Sequence, residues 1–343
     1  MLTFTLKVTE IRPETADTVT ICFKQPALKK VRYLAGQYLS LIFRINGRRY
    51  IRPYSFSSAP GVDTALELTV KRVPGGVVSN HIHDVVKPGD SIEALAPMGD
   101  FVFDPSTTAS SVFFWGVGSG ITPLISIIKS ILAVPGPMKV NLVYGNRNHE
   151  SMIFAGLISA LSDLHPERFN VWHFHTKMSV TETPPYLVQG RITPGAVEQV
   201  MEGQQPENTL HYICGPLGLK SSVKSVLTKL QVPAHQILSE DFEVVKNPAD
   251  FEHIQTQELQ LKFNGVGHKL EVSKGKSILD AALDAGLELP YSCQTGNCST
   301  CVGRLLEGSV SMIGLTSPRH DLGQDQFLLC CSYPESAGVY IEV

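Results

Sequence analysis

The sequence predicts three domains in series: an antiparallel β-barrel, an α/β unit built on a parallel sheet, and a small α+β unit that ends around a cysteine loop. Three observations carry this expectation. Residues 1 to about 105 hold short alternating runs separated by turn residues. From about residue 110, buried strand-like runs alternate with helical ones. Further on, YSCQTGNCSTC places three of the chain's seven cysteines within nine positions.

At 343 residues the chain exceeds one typical core. Its 43% apolar and 18% charged residues suit a globular protein, not a disordered one. With 29 Lys and Arg against 32 Asp and Glu, the net charge of −3 gives no basic excess for nucleic acid. The N-terminus alternates like a strand and lacks the pattern of a signal peptide, so a cytoplasmic, reducing location is expected, where thiols bind metals more often than they pair. Residues 112–134 are apolar for long enough to suggest a membrane span. Three glycines, Pro123 and Lys129 interrupt them, and a buried strand, turn and helix is expected instead.

In the first domain, TVTICFK, QYLSLIFRI and ALELTVKR read as strands between turns at Asn46-Gly47, Pro60-Gly61 and Pro88-Gly89, a spacing that suits a closed barrel. In the second, SSVFFWGVGSG, KVNLVYGNR, RFNVWHFH and LHYICGP read as strands. ITPLISIIKSIL, ESMIFAGLISALSDL and LGLKSSVKSVLTKLQ read as helices. VVKNPADFEHIQTQ is polar and aperiodic, like a linker. LQLKFNGVGHKLEV then gives a hairpin, and SILDAALDAG a helix capped by Ser277 and ended at Gly286. The expected spans are 1–107 for the barrel, 108–243 for the α/β domain, 244–257 for the linker and 258–343 for the cysteine-bearing domain.

GVGSGITP sets Gly116, Gly118 and Gly120 between a strand and a helix, where glycines permit close backbone approach and the helix start offers free N–H groups to a pyrophosphate. Steric needs of the turn alone would also account for them. The next strand ends in YGNRN with no acid to hold a ribose hydroxyl, so Arg147 is the candidate for a 2′-phosphate; a plain surface arginine is the alternative. Arg52 beside a strand invites an anion, Tyr54 offers a flat face, Ser55 a hydroxyl, and Gly75-Gly76 with Ser79 and Asn80 a backbone cradle. A hairpin loop and a barrel-rim arginine are the plainer reading.

Cys293, Cys298 and Cys301 follow C-x4-C-x2-C, and Cys330 lies 29 positions further on, the plant-type [2Fe–2S] spacing. Gly296, Ser299 and Thr300 are small enough for backbone N–H groups to reach the sulfurs. Tetrahedral zinc also takes four thiolates, but its motifs usually carry two short knuckles and this chain has one C-x2-C pair. Cys330 and Cys331 are adjacent, and either completes the set.

RPYS, GGVVS, GVGSGITP, YGNR, ICGP and the acidic-aromatic EDF occur in the order found in the ferredoxin–NADP reductase superfamily. With its C-terminal plant-type ferredoxin-like domain, the chain resembles the reductase components of multicomponent oxygenases, in the group that contains the phenylacetate-CoA epoxidase reductase and the ketosteroid hydroxylase reductases. The resemblance implies that Arg52 binds flavin phosphate, Tyr54 stacks on the isoalloxazine and Ser55 lies near its N5, with Pro53 and Val70 also at the flavin. Gly76, Val77, Val78 and Ser79 would contact the pyrophosphate, and Gly118, Gly120 and Thr122 the nicotinamide nucleotide. Cys214 would mark the hydride-transfer locus, with Glu240 and Phe242 beside the flavin. The ending CCSYP aligns Cys330 as fourth ligand. The expected cofactors are FAD, with FMN used by some related reductases, a [2Fe–2S] cluster, and NADPH or NADH. The expected activity is hydride transfer to flavin and delivery of single electrons to a partner oxygenase or another protein acceptor. Reduction of a small acceptor, a free ferredoxin or a flavodoxin is the alternative within enzymes, and a redox-sensing module the alternative outside them.

Overall fold

The computed structural model describes residues 2–177, 187–244, 246–315 and 318–343. The chain divides into two compact units: Met1–Leu41 with Tyr54–Glu240, and Ile42–Pro53 with Asp241–Val343.

The first sheet contains β1 (Thr3–Thr15), β2 (Thr18–Phe23), β3 (Tyr38–Ile45), β4 (Arg48–Ser55), β5 (Leu66–Lys71) and, after helix α1 (Val77–Asp84), β6 (Ser91–Leu95). Its order is β4-β3-β6-β1-β2-β5, with antiparallel pairing of β1 to β2 and β6 and of β2 to β5. A bridge from Phe56, just past β4, to Leu68 of β5 brings the two ends of that order together, as a barrel requires. Alternation sets the inward face: Phe4, Leu6 and Val8 of β1 are buried and the residues between them exposed.

The second sheet contains β7 (Ser111–Val117), β8 (Lys139–Asn146), β9 (Phe169–His175), β10 (Leu187–Gln189), β11 (Thr209–Cys214) and β12 (Ile237–Glu240). The order is β10-β9-β8-β7-β11-β12 and every pairing is parallel. The unbroken run VFFW is explained by burial on both faces. Val112 and Phe114 pack with helix α2 (Ile121–Leu132) and helix α3 (Ala155–Leu164), while Phe113 and Trp115 pack with helix α4 (Pro194–Val200) and helix α5 (Leu217–Lys229). Strand order reverses between β7 and β11, so a ligand crevice is expected beyond their C-terminal ends. The apolar run 112–134 is thus a strand, a turn and a twelve-residue helix, and among the described residues no helix is long and apolar enough to cross a membrane.

Two local differences from the sequence expectation have plain causes. The helix read from ESMIF starts at Ala155, because a 3-10 turn at His149–Ser151 and a left-handed Phe154 (φ 63) intervene while Met152, Ile153 and Phe154 are buried. GGVVSN, whose plainer reading is a hairpin loop, begins helix α1, with Gly76 as its N-cap.

The second unit holds β13 (Gln257–Phe263), β14 (Val266–Val272), helix α6 (Ile278–Asp284), β15 (Val302–Glu307), β16 (Val310–Met312), β17 (Gln326–Leu328), β18 (Ser332–Pro334) and β19 (Val339–Glu342). The five-stranded sheet runs β14-β13-β19-β15-β17, and β16 pairs with β18. The α6 cap is a reciprocal box between Ser277 and Asp280, and Gly286 takes φ 81 where the helix ends. The stretch expected as a linker is partly packed: it forms a turn at Pro248–Phe251 and buries Phe251 and Ile254 against Ile313 and Tyr333. Two anchors give no periodicity, so this packing leaves little trace in the sequence.

Candidate active site and cluster loop

At the switch point, β7 runs into the 3-10 turn Gly118–Gly120 and then α2. Gly118 has φ 55 and open space where a side chain would project. A Cβ on Gly120 would fall well inside van der Waals contact distance of the Cys214 carbonyl oxygen, and no side-chain motion would relieve it. The α2 N-terminus has no side-chain cap, but the Ile121 N–H is taken by the Gly118 and Ser119 carbonyls and Pro123 carries none, which leaves Thr122 as the residue of the first turn that can offer an N–H to an anion. Thr122 is buried and donates to the Ser119 carbonyl at 3.0 Å, and Tyr144 Oη donates to the Gly118 carbonyl at 3.0 Å.

Beside this turn stand the three residues with expected catalytic roles. Register pairs Gly116 with Cys214 and Cys214 with Glu240. The Ser55 hydroxyl, itself buried, hydrogen bonds to the Glu240 carboxyl. Burial pushes that carboxyl up to about 8, against the pull of Lys220 and of the Ser55 bond. Glu240 Oε2 is buried without a protein partner, an orphan that a ligand or a retained proton would satisfy. Burial, and then the Glu240 charge, raise the Cys214 thiol well above its ordinary value, so it stays a neutral thiol.

On the barrel, Val70 is buried in β5, and β5 lies against the Gly118–Gly120 turn. Tyr54 is half-buried at the end of β4. Helix α1 starts at Gly76 with no side-chain cap, and a Cβ there would meet Ser79 Oγ and Val73. Val77 is exposed and Val78 and Ser79 are buried, with Ser79 Oγ accepting the Val73 N–H at 3.1 Å. Uncapped N–H groups above a glycine that admits no side chain fit a pyrophosphate. Arg147 is exposed just past the end of β8, its carbonyl accepting the Lys177 N–H at 2.7 Å.

In the second unit, Arg52 and Pro53 are half-buried, and Arg52 donates to the Ile51 carbonyl at 2.8 Å. Phe242 is exposed. Cys293 Sγ accepts backbone N–H groups from Thr295 at 3.4 Å and Cys298 at 3.3 Å, the kind of donors that steady a thiolate sulfur. The Cys298 thiol hydrogen bonds to Cys293 and lowers it to about 5. Cys330 and Cys301 form a second hydrogen-bonded pair. Among the described residues no group of three His, Cys, Asp or Glu side chains is arranged to hold a single metal ion. Cys330 is hydrogen bonded to Cys331 as well as to Cys301, and Cys293, Cys298, Cys301 and one of that adjacent pair would supply the four thiolates that two irons need. Cys331 is fully buried, and its Sγ lies 3.5 Å from the Leu328 carbonyl as donor.

Family models for an oxidoreductase FAD-binding domain, an oxidoreductase NAD-binding domain and a 2Fe-2S iron-sulfur cluster binding domain match residues 5–103, 114–225 and 261–335. The ferredoxin reductase component of 3-ketosteroid-9-alpha-monooxygenase from Rhodococcus rhodochrous is 34% identical over 322 residues, which span 90% of this chain and 87% of that protein. The chain belongs to this family of oxygenase reductase components. One of the subunits of 1,2-phenylacetyl-CoA epoxidase from Escherichia coli (strain K12) is 30% identical over 357 residues, 100% of this chain and 98% of that one. The solved structure of phthalate dioxygenase reductase shares the fold, with a TM-score of 0.70 over 99% of this chain and 98% of that chain at 23% identity. The reductase is therefore an oxidoreductase with FAD, NAD and [2Fe–2S] domains.

Sequence reasoning missed Lys220. It is buried in the first part of α5 and its charge acts on both Cys214 and Glu240. The available signal was a lysine among apolar residues, LGLK, six positions after the cysteine.

Folded Glu240 titrates near 8 against an ordinary 4.5, so between those values the folded reductase holds a proton that the unfolded chain has lost. Stability from this group is whole below about pH 4.5 and is lost as pH rises through about 8. Urea unfolding across that range should fall less steeply with pH in Glu240→Gln than in the native protein; equal slopes would show that the folded carboxyl is ionised.

Proposed function

We propose that the chain oxidises NAD(P)H and passes electrons one at a time to a partner oxygenase, with NADPH as the preferred donor. The observation that carries this is the grouping of Ser55, Cys214 and Glu240 at the switch point of a chain that also brings Cys293 against Cys298 and Cys301 against Cys330, with Cys331 beside it. Bound, FAD accepts a hydride and releases electrons singly, and the [2Fe–2S] centre carries one at a time.

The chain's own residues bind, orient and exclude water. Gly118, Gly120 and Thr122 receive the nicotinamide nucleotide on the uncapped start of α2, and Arg147 takes its 2′-phosphate. Cys214, neutral and buried, gives the nicotinamide a dry apolar contact. Ser55 holds the Glu240 carboxyl, whose raised affinity keeps a proton within the site near neutral pH. Tyr54 stacks on the isoalloxazine, with Val70 beside it and Phe242 shielding it; Arg52 and Pro53 hold the flavin phosphate side, and Gly76 through Ser79 the pyrophosphate. Cys293, Cys298, Cys301 and Cys330 ligate the cluster, Cys331 being engaged with the Leu328 carbonyl. The working spans are 1–107, 108–243 and 258–343 with a connector at 244–257. Seven free cysteines, four of them committed to a cluster, suit the cytoplasm.

Cys330→Ser should abolish the visible and EPR signals of the cluster while leaving flavin absorbance and NADPH–ferricyanide activity, and Cys331→Ser should keep both signals. Cluster loss only in Cys331→Ser would reverse the ligand choice. Arg147→Ala should lower kcat/KM for NADPH at least about tenfold, some 1.4 kcal/mol, and spare NADH; equal effects on both would remove the 2′-phosphate role.

A further inference from the structure

One cationic side chain binds the cysteine loop from outside it. Arg319 donates from Nη1 to the Gly296 carbonyl and from Nη2 to Ser299 Oγ at 2.7 Å. It also donates from Nε to Asp321 Oδ1 at 2.8 Å and from Nη2 to Asp321 Oδ2 at 2.6 Å, and Ser299 Oγ donates to Asp321 Oδ2 at 3.0 Å. Gly296 and Ser299 bracket Cys298, so the guanidinium bonds the chain on both sides of a cluster thiol. The Arg319 side chain is 13% exposed and that of Asp321 53%.

Burying a long cationic side chain costs rotamer entropy as well as desolvation. An exposed carboxylate partner returns little of that cost. The ion pair with Asp321 therefore does not by itself account for a cation held over this loop. What the position does provide is a planar fork that reaches a carbonyl, a hydroxyl and a carboxylate at once, which a lysine ammonium cannot reproduce. It also provides a permanent charge near sulfur: the Cys298 and Cys293 charges reach Arg319, behind the larger effects of Asp321 and of burial.

We propose that Arg319 is a positioning residue for the iron–sulfur centre, pinning the loop that carries Cys298 and holding the reduction potential of the centre above the value the thiolates alone would set. The proposal rests on the cluster assignment above. Adding one electron makes the centre more negative, and no bond forms or breaks. A fixed cation bonded to the loop on both sides of a cluster thiol stabilises that added charge. Guanidinium does not lose its proton in proteins, so the effect persists across the working pH range. Asp321 opposes it, but more weakly, because solvent screens an exposed carboxylate. The centre is thereby made a better acceptor of electrons from the flavin.

The test is a redox titration of purified holoprotein followed by EPR, with iron content measured in parallel. Arg319→Met should lower the midpoint potential, Arg319→Lys should lower it less, and Asp321→Asn should raise it. An unmoved potential in Arg319→Met with a full complement of iron overturns the proposal. Should Arg319→Met lose its cluster, Asp321→Asn decides: an upward shift supports the proposal, and no shift or a downward one overturns it. The EPR signal of the reduced native protein checks the cluster itself. Its absence would contradict the functional reading, whereas its presence with unmoved potentials would contradict only the role of Arg319.

Discussion

The close approach of Gly120 to the Cys214 carbonyl is the contact on which the active site depends. β7 and β11 are neighbours at the point where strand order reverses, and their register sets Gly116 beside Cys214. Helix α2 can start there only because residue 120 has no side chain. Its first turn, with Thr122, thereby comes to the strand end that carries the thiol. One more step across the sheet, β12 places Glu240 beside Cys214. A single steric allowance thus seats the start of α2, the neutral thiol and the proton-holding carboxyl together.

Electrostatics refine what sterics allow. Desolvation is the largest influence on both Glu240 and Cys214, and each keeps its proton near neutral pH. Lys220 offsets part of that penalty for the carboxyl. In the second unit the balance runs the other way: hydrogen bonds from Cys298 and from backbone N–H groups draw Cys293 toward the thiolate. One chain therefore keeps one thiol protonated and draws another toward the thiolate, through burial in the first case and donors in the second.

Legibility in the sequence followed the locality of each constraint. The turn Gly116–Gly120, the capped helix at Ser277 and the C-x4-C-x2-C loop were readable because their chemistry fixes residue types at short spacing. The alternating and buried runs of the two larger sheets were readable for the same reason. Phe154 in a left-handed conformation and the packed anchors Phe251 and Ile254 were not, since tertiary burial decides them. Lys220 and Arg319 act on groups distant in sequence or across a loop, and LGLK and SPRHD look like ordinary surface segments. The choice of Cys330 over Cys331 came from the resemblance of CCSYP to a ferredoxin-like ending, and the fold shows Cys330 in contact with both Cys301 and Cys331.

Under the proposed function, electrons enter at the Ser55–Cys214–Glu240 site and leave only through the cysteine loop. Its most direct test is anaerobic rapid mixing of NADPH with native holoprotein and with cluster-free Cys298→Ser protein, each alongside its purified oxygenase. Flavin bleaching should occur at similar rates in both, and oxygenase reduction only with the native chain. Oxygenase reduction at the native rate by Cys298→Ser protein, with its flavin intact and its iron absent, would contradict the account.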